Sequence, residues 1–312
     1  MAKTQQKSRL DKTLSKVYSW ATSMATRQHP EPQYNNLQLY LNGQDELFMA
    51  LSCLHDFGMA EAANSLLTAE LSPNTSSIVH MAHGFSRMIY ANSIDILELK
   101  ESDQTITSGL DSVIRKMLGA IALGMPTLAK KFHHVVLTAL EQGYGVENAH
   151  NNSGPETLRY AAMGLSIIHE WLGLPLDLEK LGLPRDPAWG PLVKYWNDPD
   201  PVKLQPILYN ACDVHIERIA LTGSEVNSGN FEFGSEFTAV HPTEILAVLR
   251  LRQMLDLPSP DLDHPLMNTP YAQITAVPGQ VTQPDNLLEA FLTKARERDP
   301  QVMTEWDRIQ VD

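Results

Sequence analysis

Along most of the chain, apolar residues recur every three or four positions, which is the spacing of a helix with one face buried. In the segment 44–71, Leu47, Ala50, Leu51 and Leu54 form one stripe, and Ala62, Ala63, Leu66 and Leu67 form another after Gly58. The pattern predicts two helices joined by a turn at that glycine. The same arrangement recurs at 108–145, where Val113, Met117, Ala120 and Ile121 precede a Gly-Met-Pro turn, and Leu128, Phe132, Val135, Val136 and Ala139 follow it. Pro126 suits the first turn of the second helix, while Gly143 and Gly145 suit its end. Between the two hairpins, residues 102–107 read as a short loop.

The polar stretch 145–155 marks a boundary, with Ser153 or Gly154 near a new N-cap and Pro155 in the turn that follows. The chain therefore reads as residues 1–150 and 151–312, either two lobes or one continuous domain. Beyond the boundary, Tyr160, Gly164, Ile167, Ile168 and Trp171 form a helical stripe. Six prolines between Pro175 and Pro201 then allow only short helices and turns. Helical spacing returns with Leu208, Ala211, Cys212, His215 and Ile219, and again with Ile245, Val248, Leu249 and Leu255. In the latter segment Pro242 fits the first helical position and Glu244 the third. The tail beyond Pro258 is proline-broken and irregular, with residues 271–277 the only short strand candidate, before a last helix at 286–299. The predicted class is all-α, built of stacked antiparallel helical hairpins. The 20–50-residue periods of known solenoid repeats are not matched.

Charge sharpens this picture. The net charge of −13 is lopsided: residues 1–150 hold 14 acidic and 12 basic side chains, against 23 and 12 in residues 151–312. Between residues 196 and 245, eight carboxylates face only Lys203 and Arg218. Such a surface repels nucleic-acid phosphates and attracts a basic protein, although acidity also serves plain solubility. No apolar run reaches the length of a membrane span, and the basic N-terminus lacks the apolar core of a secretory signal. Cys53 and Cys212 stand far apart without metal-binding spacing. A cytoplasmic protein with reduced thiols is the expectation.

Residues 210–253 concentrate the candidate chemistry: Asp213, His215, Glu217, Glu225, Glu232, Glu236, His241 and Glu244. On a helix, Asp213 and Glu217 lie one turn apart while His215 points toward Leu208, Cys212 and Ile219. A metal site or acid/base centre would have to recruit His241 and Glu244 from other elements, and no HExxH, EF-hand, nucleophile-elbow or phosphate-loop pattern supports one. His80 with His83, and His133 with His134, are weaker clusters of the same kind. No catalytic, cofactor or metal residue is therefore assigned. The loop containing Glu225, Phe231, Glu232, Phe233 and Glu236 suits protein recognition, with exposed phenylalanines as anchors and carboxylates steering a basic partner; the competing expectation folds the phenylalanines back onto the core. Arg252 lies at the edge of its stripe, where Asp213 or Glu217 would pair with it, and Arg250 lies beside it.

The segments "ACDVHIERIA" and "HPTEILAVLRLRQMLDLP", separated by the acidic loop, resemble the immunity protein 49 family of bacterial polymorphic toxin systems. The resemblance is strongest over residues 209–257. It implies a mostly helical cytoplasmic antidote that binds a cognate, basic toxin domain, and by position it would highlight Asp213, His215, Glu244 and Arg250. The alternative is a metal-dependent or acid/base hydrolase built on Asp213, His215, His241 and Glu244.

Overall fold

A computed structural model describes residues 8–26, 31–71, 75–99, 109–141 and 158–311. Among the described residues there are fourteen α-helices and no strand, with one isolated parallel bridge between Ile219 and Phe233. The helices are α1 (Arg9–Thr26), α2 (Glu31–Leu41), α3 (Leu47–Leu71), α4 (Thr75–Leu99), α5 (Leu110–Ala122), α6 (Pro126–Leu140) and α7 (Leu158–Leu172). They continue as α8 (Gly190–Tyr195), α9 (Pro201–Glu217), α10 (Gly223–Val226), α11 (Glu236–Val240), α12 (Thr243–Met254), α13 (Asn286–Arg298) and α14 (Pro300–Arg308). The class read from the sequence is correct: the fold is all-α, with helices packed on helices.

The most extensive packing joins α3 and α4, an antiparallel pair of 25-residue helices. Here the sequence expectation needs correcting, because α3 runs unbroken through Gly58. The glycine serves close approach, not a turn. A Cβ on Gly58 would stand 2.7 Å from the Gly84 carbonyl oxygen of α4, and one on Gly84 would stand 2.7 Å from the Gly58 carbonyl oxygen. Real Cβ atoms do not sit that near backbone oxygen, so the two helices touch backbone to backbone. Gly58→Ala or Gly84→Ala should therefore force the helices apart and cost about 1–3 kcal/mol. Chemical denaturation would show this as a lowered midpoint, and an unchanged midpoint in both variants would refute the tight crossing.

The second expected hairpin forms as read. Helix α5 ends at a turn in which Gly124 has φ +69, Pro126 opens α6, and α6 returns against α5. Helix α5 is the centre of the fold, with twelve of its residues buried against α4, α6, α7 and α12. Burial so complete extends to charged residues. Asp111 is held there by accepting the Ala161 N–H of α7 (2.9 Å).

Helix α9 begins as its sequence requires: Asp200 accepts from the Val202 and Lys203 amides, and Pro201 follows it. Helix α12 is offset by one residue from expectation, with Pro242 as the cap and Thr243 as the first helical residue. The strand candidate at 271–277 is instead covered by a 3-10 turn at Pro270–Gln273, capped by the Thr269 hydroxyl. Its irregular continuation still packs, since the Ala276 N–H donates to Ala122 O (3.2 Å). Both cysteines are buried, and neither forms a disulfide. The predicted boundary at 145–155, the N-cap at Ser153 or Gly154 with Pro155, the loop at 102–107 and the helix end at Gly143 and Gly145 lie outside the described residues.

Candidate functional site

The acidic stretch singled out in the sequence folds around a buried polar core. His215 projects inward from α9 and Glu244 from the first turn of α12, and neither side chain has any exposed surface. His215 Nδ1 lies 2.5 Å from Glu244 Oε1, and Nε2 lies 3.0 Å from the Ala239 carbonyl oxygen. A carbonyl only accepts, so Nε2 carries hydrogen and donates. One proton then bridges Nδ1 and the carboxylate. The Tyr160 hydroxyl of α7 donates to the other carboxylate oxygen (3.2 Å) and lies 3.1 Å from Thr243 Oγ1. Burial alone would favour the neutral acid, but His215 beside it outweighs this and holds the Glu244 carboxyl below its usual range.

Aromatic rings and a third charge close the cluster. Phe233 stacks on His215 with 3.7 Å between ring centroids. The Arg115 guanidinium of α5 sits over both Tyr160 (4.3 Å) and Phe233 (5.1 Å) and donates to the Glu232 carbonyl oxygen (2.8 Å). Tyr160 and Arg115 are the members that sequence reasoning missed. Their signal is a charged residue and a tyrosine standing within otherwise apolar stripes, whose convergence depends on tertiary packing.

This arrangement leaves His215 little catalytic capacity. Both ring nitrogens are committed inside the protein, and no substrate atom reaches a side chain with zero exposure. His241 is equally enclosed. It donates from Nδ1 to Tyr271 O (3.1 Å), packs beside Phe237 and Phe85, and is driven by burial down to about 4. Among the described residues, no three His, Cys, Asp or Glu side chains converge as a metal ion requires. The sequence groups Asp213, His215, His241 and Glu244 as one cluster; the structure joins only His215 to Glu244. Asp213 lies on the surface, where it accepts from His264 Nε2 (3.1 Å), while His264 Nδ1 accepts the Leu266 N–H. Glu217 is exposed at the end of α9.

The recognition loop also departs from expectation. Phe233 is fully buried, so the reading that folds it onto the core is the correct one. Phe231 is partly covered, under the Arg9 guanidinium of α1 at 4.8 Å. Glu225 is not free: Arg9 binds it through two N–H groups (2.8 and 3.1 Å) and also reaches Ile219 O. That contact, with the Leu221 N–H, holds the Glu225 carboxyl down at about 2. Glu232 turns inward to Arg218, which also pairs with Asp186 at 2.5 Å. Burial pushes the Glu232 carboxyl up, with Arg218 opposing. Of the loop's three carboxylates, only the half-buried Glu236 makes no ion pair among the described residues.

Arg252 pairs with neither Asp213 nor Glu217. It is buried and donates to the carbonyl oxygens of Trp196 (2.8 Å), Asp198 (2.7 Å) and Pro258, tying α12 to the turn before α9. Arg250, also buried, donates to Gln253.

Fold and cluster together define an all-α protein in which a polar core fastens α5, α7, α9 and α12. Comparison adds no relative to this: no family model matches the chain, and neither a curated protein nor a solved structure does.

Proposed function

We propose that this chain is an immunity-type protein, which binds a cognate, basic toxin domain in the bacterial cytoplasm and neutralises it through acidic surface. The observation that carries this reading is the division of labour among its carboxylates. The buried carboxylates Glu244 and Glu232 are locked into internal pairs. Asp200, Asp213, Glu217, Asp256, Asp261 and Asp263 instead lie exposed. Several of these share one surface, because Gln205 and Tyr209 of α9 bond the backbone of residues 261 and 263. With a net charge of −13, such a surface accelerates encounter with a basic partner and disfavours nucleic acid. No helix among the described residues is long and apolar enough to cross a membrane.

The test is capture of the tagged full chain in its own cells, with mass spectrometry and metal analysis on one eluate, followed by co-expression of whatever is captured. The expected result is a single stoichiometric basic partner that is toxic alone and harmless beside this chain. Its association rate should fall about tenfold or more between low and high salt. Stoichiometric metal without a protein partner, or a captured protein whose toxicity this chain leaves unchanged, would overturn the reading.

A further inference from the structure

Between α3 and α4 lies a cleft of about 360 Å³, lined by Phe48, Ser52, His55 and Asp56 on one side and by Asn92 and Asp95 on the other. Asp95 is the anomaly. It is 8% exposed, yet its side chain makes no hydrogen bond or ion pair among the described residues, and it lines the cleft. Burial alone pushes it up to about 6, with no cation near enough to counter that. A carboxylate held this way is unfavourable without a partner, because its lost hydration is not replaced. Further acid lies around it: Glu98, one turn along α4, is raised by burial and by the neighbouring charges of Asp299, Asp95 and Glu46. The cations in the neighbourhood are occupied elsewhere. Lys116, buried on α5, donates to Ser112, and Arg298 donates to the Tyr40 and Asp45 carbonyls. At the rim, Phe48 is 46% exposed, an aromatic face beside carboxylates. Acceptors at the bottom and an aromatic wall at the mouth together suit an organic cation.

We propose that the cleft between α3 and α4 binds an alkyl-guanidinium or alkyl-ammonium group, the head of an arginine or lysine side chain carried by the basic partner. Asp95 accepts its N–H donors, and Phe48 lies along its stem. The proposal rests on the immunity-type reading for the source of the cation. It adds the point of insertion: the acidic surface steers the approach, and the cleft anchors it. A buried charge matched by an incoming one is the kind of contact on which interface affinity concentrates.

The test titrates the purified full chain, followed by amide chemical shifts, with three probes. These are an end-blocked pentapeptide with a central arginine, the same peptide with the uncharged isostere citrulline, and the free cation agmatine. The arginine peptide should saturate with shifts centred on residues 48–56 and 91–95, and citrulline should weaken binding about tenfold or more. Asp95→Asn should cause a similar loss, and Phe48→Ala, at an exposed site, a severalfold one. Unchanged thermal unfolding shows that both variants remain folded. No saturable binding, equal binding of the citrulline peptide, or an unaffected Asp95→Asn variant would overturn the site. Agmatine binding without peptide binding would overturn the protein source and make this a small-molecule site. If a captured toxin binds Asp95→Asn as tightly as wild type, the cleft falls and the immunity reading stands; if the peptide binds but no toxin exists, that reading falls instead.

Discussion

Removing either member of the His215–Glu244 pair alone should destabilise the protein by about 3–5 kcal/mol, the usual cost of leaving one buried ionic group without its counterpart. Glu244→Leu leaves Nδ1 of the His215 ring without its partner and facing hydrocarbon, and it leaves the Tyr160 hydroxyl to rely on Thr243 alone. His215→Leu strands the Glu244 carboxylate, whose ionisation depends first on that ring. The double variant should lose far less than the two single losses together, because both desolvated groups disappear at once. Phe233 then stacks on hydrocarbon in place of the imidazole it now covers. Urea unfolding of the four proteins completes the cycle. Losses that simply add would show that His215 and Glu244 are not coupled, and the polar core would then not act as one unit. The cycle also bears on function: a scaffold pair changes stability, while a chemical one would abolish an activity in variants that remain folded.

Sequence patterning reveals helices well and partners poorly, and particular residues show why. The α5–α6 hairpin is legible because its turn is local: Gly124 takes a positive φ and Pro126 starts the next helix. Gly58 carries the same letter for a different reason. Its requirement comes from Gly84, 26 positions away on another helix, and spacing along one helix holds no record of that contact. Arg252 invites an ion-pair reading because the preceding long helix carries Asp213 and Glu217. It meets three carbonyls instead, two from the turn before α9 and one from Pro258, just past the end of its own helix. Glu225, Phe231, Glu232 and Phe233 look free because glycines surround them. What fastens them is Arg9, more than 200 residues earlier, together with Arg115 and Arg218. The cleft leaves a fainter trace: Asn92 and Asp95 stand three apart among the apolar Ala91, Ile94, Ile96 and Leu97 of α4, a polar pair that helical periodicity alone does not explain.

Acid should unfold the protein earlier than carboxylate chemistry alone would require, because two histidines refuse protons in the folded state. His133 is lowered by burial, then by His169, whose ring centroid is 4.8 Å away, and by His134; its folded value is about 4. His241 is lowered by burial to about the same value, although the Tyr271 carbonyl and Glu244 oppose the shift. Unfolded, each would titrate at about 6.5. Between these values the unfolded chain binds protons that the folded one excludes, so stability rises with pH across the window and falls on acidification from 6.5 towards 4. The loss approaches a limit on the order of 3 kcal/mol per site below pH 4. His169, also lowered by burial, acts in the same direction. Asp95 acts against them: folded, it holds a proton up to about 6 that an unfolded aspartate has already released, so between 3.8 and 6 its contribution declines as pH rises. Glu98 and Glu232, also raised by burial, act with Asp95, while His55, lowered by burial, adds to the histidines; the large shifts at His133 and His241 leave the histidines in control. The measurement is urea unfolding from pH 4 to 7 in wild type and in the His133→Gln/His241→Gln variant, comparing slopes because the substitutions also shift the level at neutral pH. The variant's slope should be much the shallower, since glutamine takes up no proton in either state. Equal slopes would mean that these rings accept protons in the folded core, and the packing around His133–His169 and Phe85–His241–Phe237 would have to be looser than their ring contacts require.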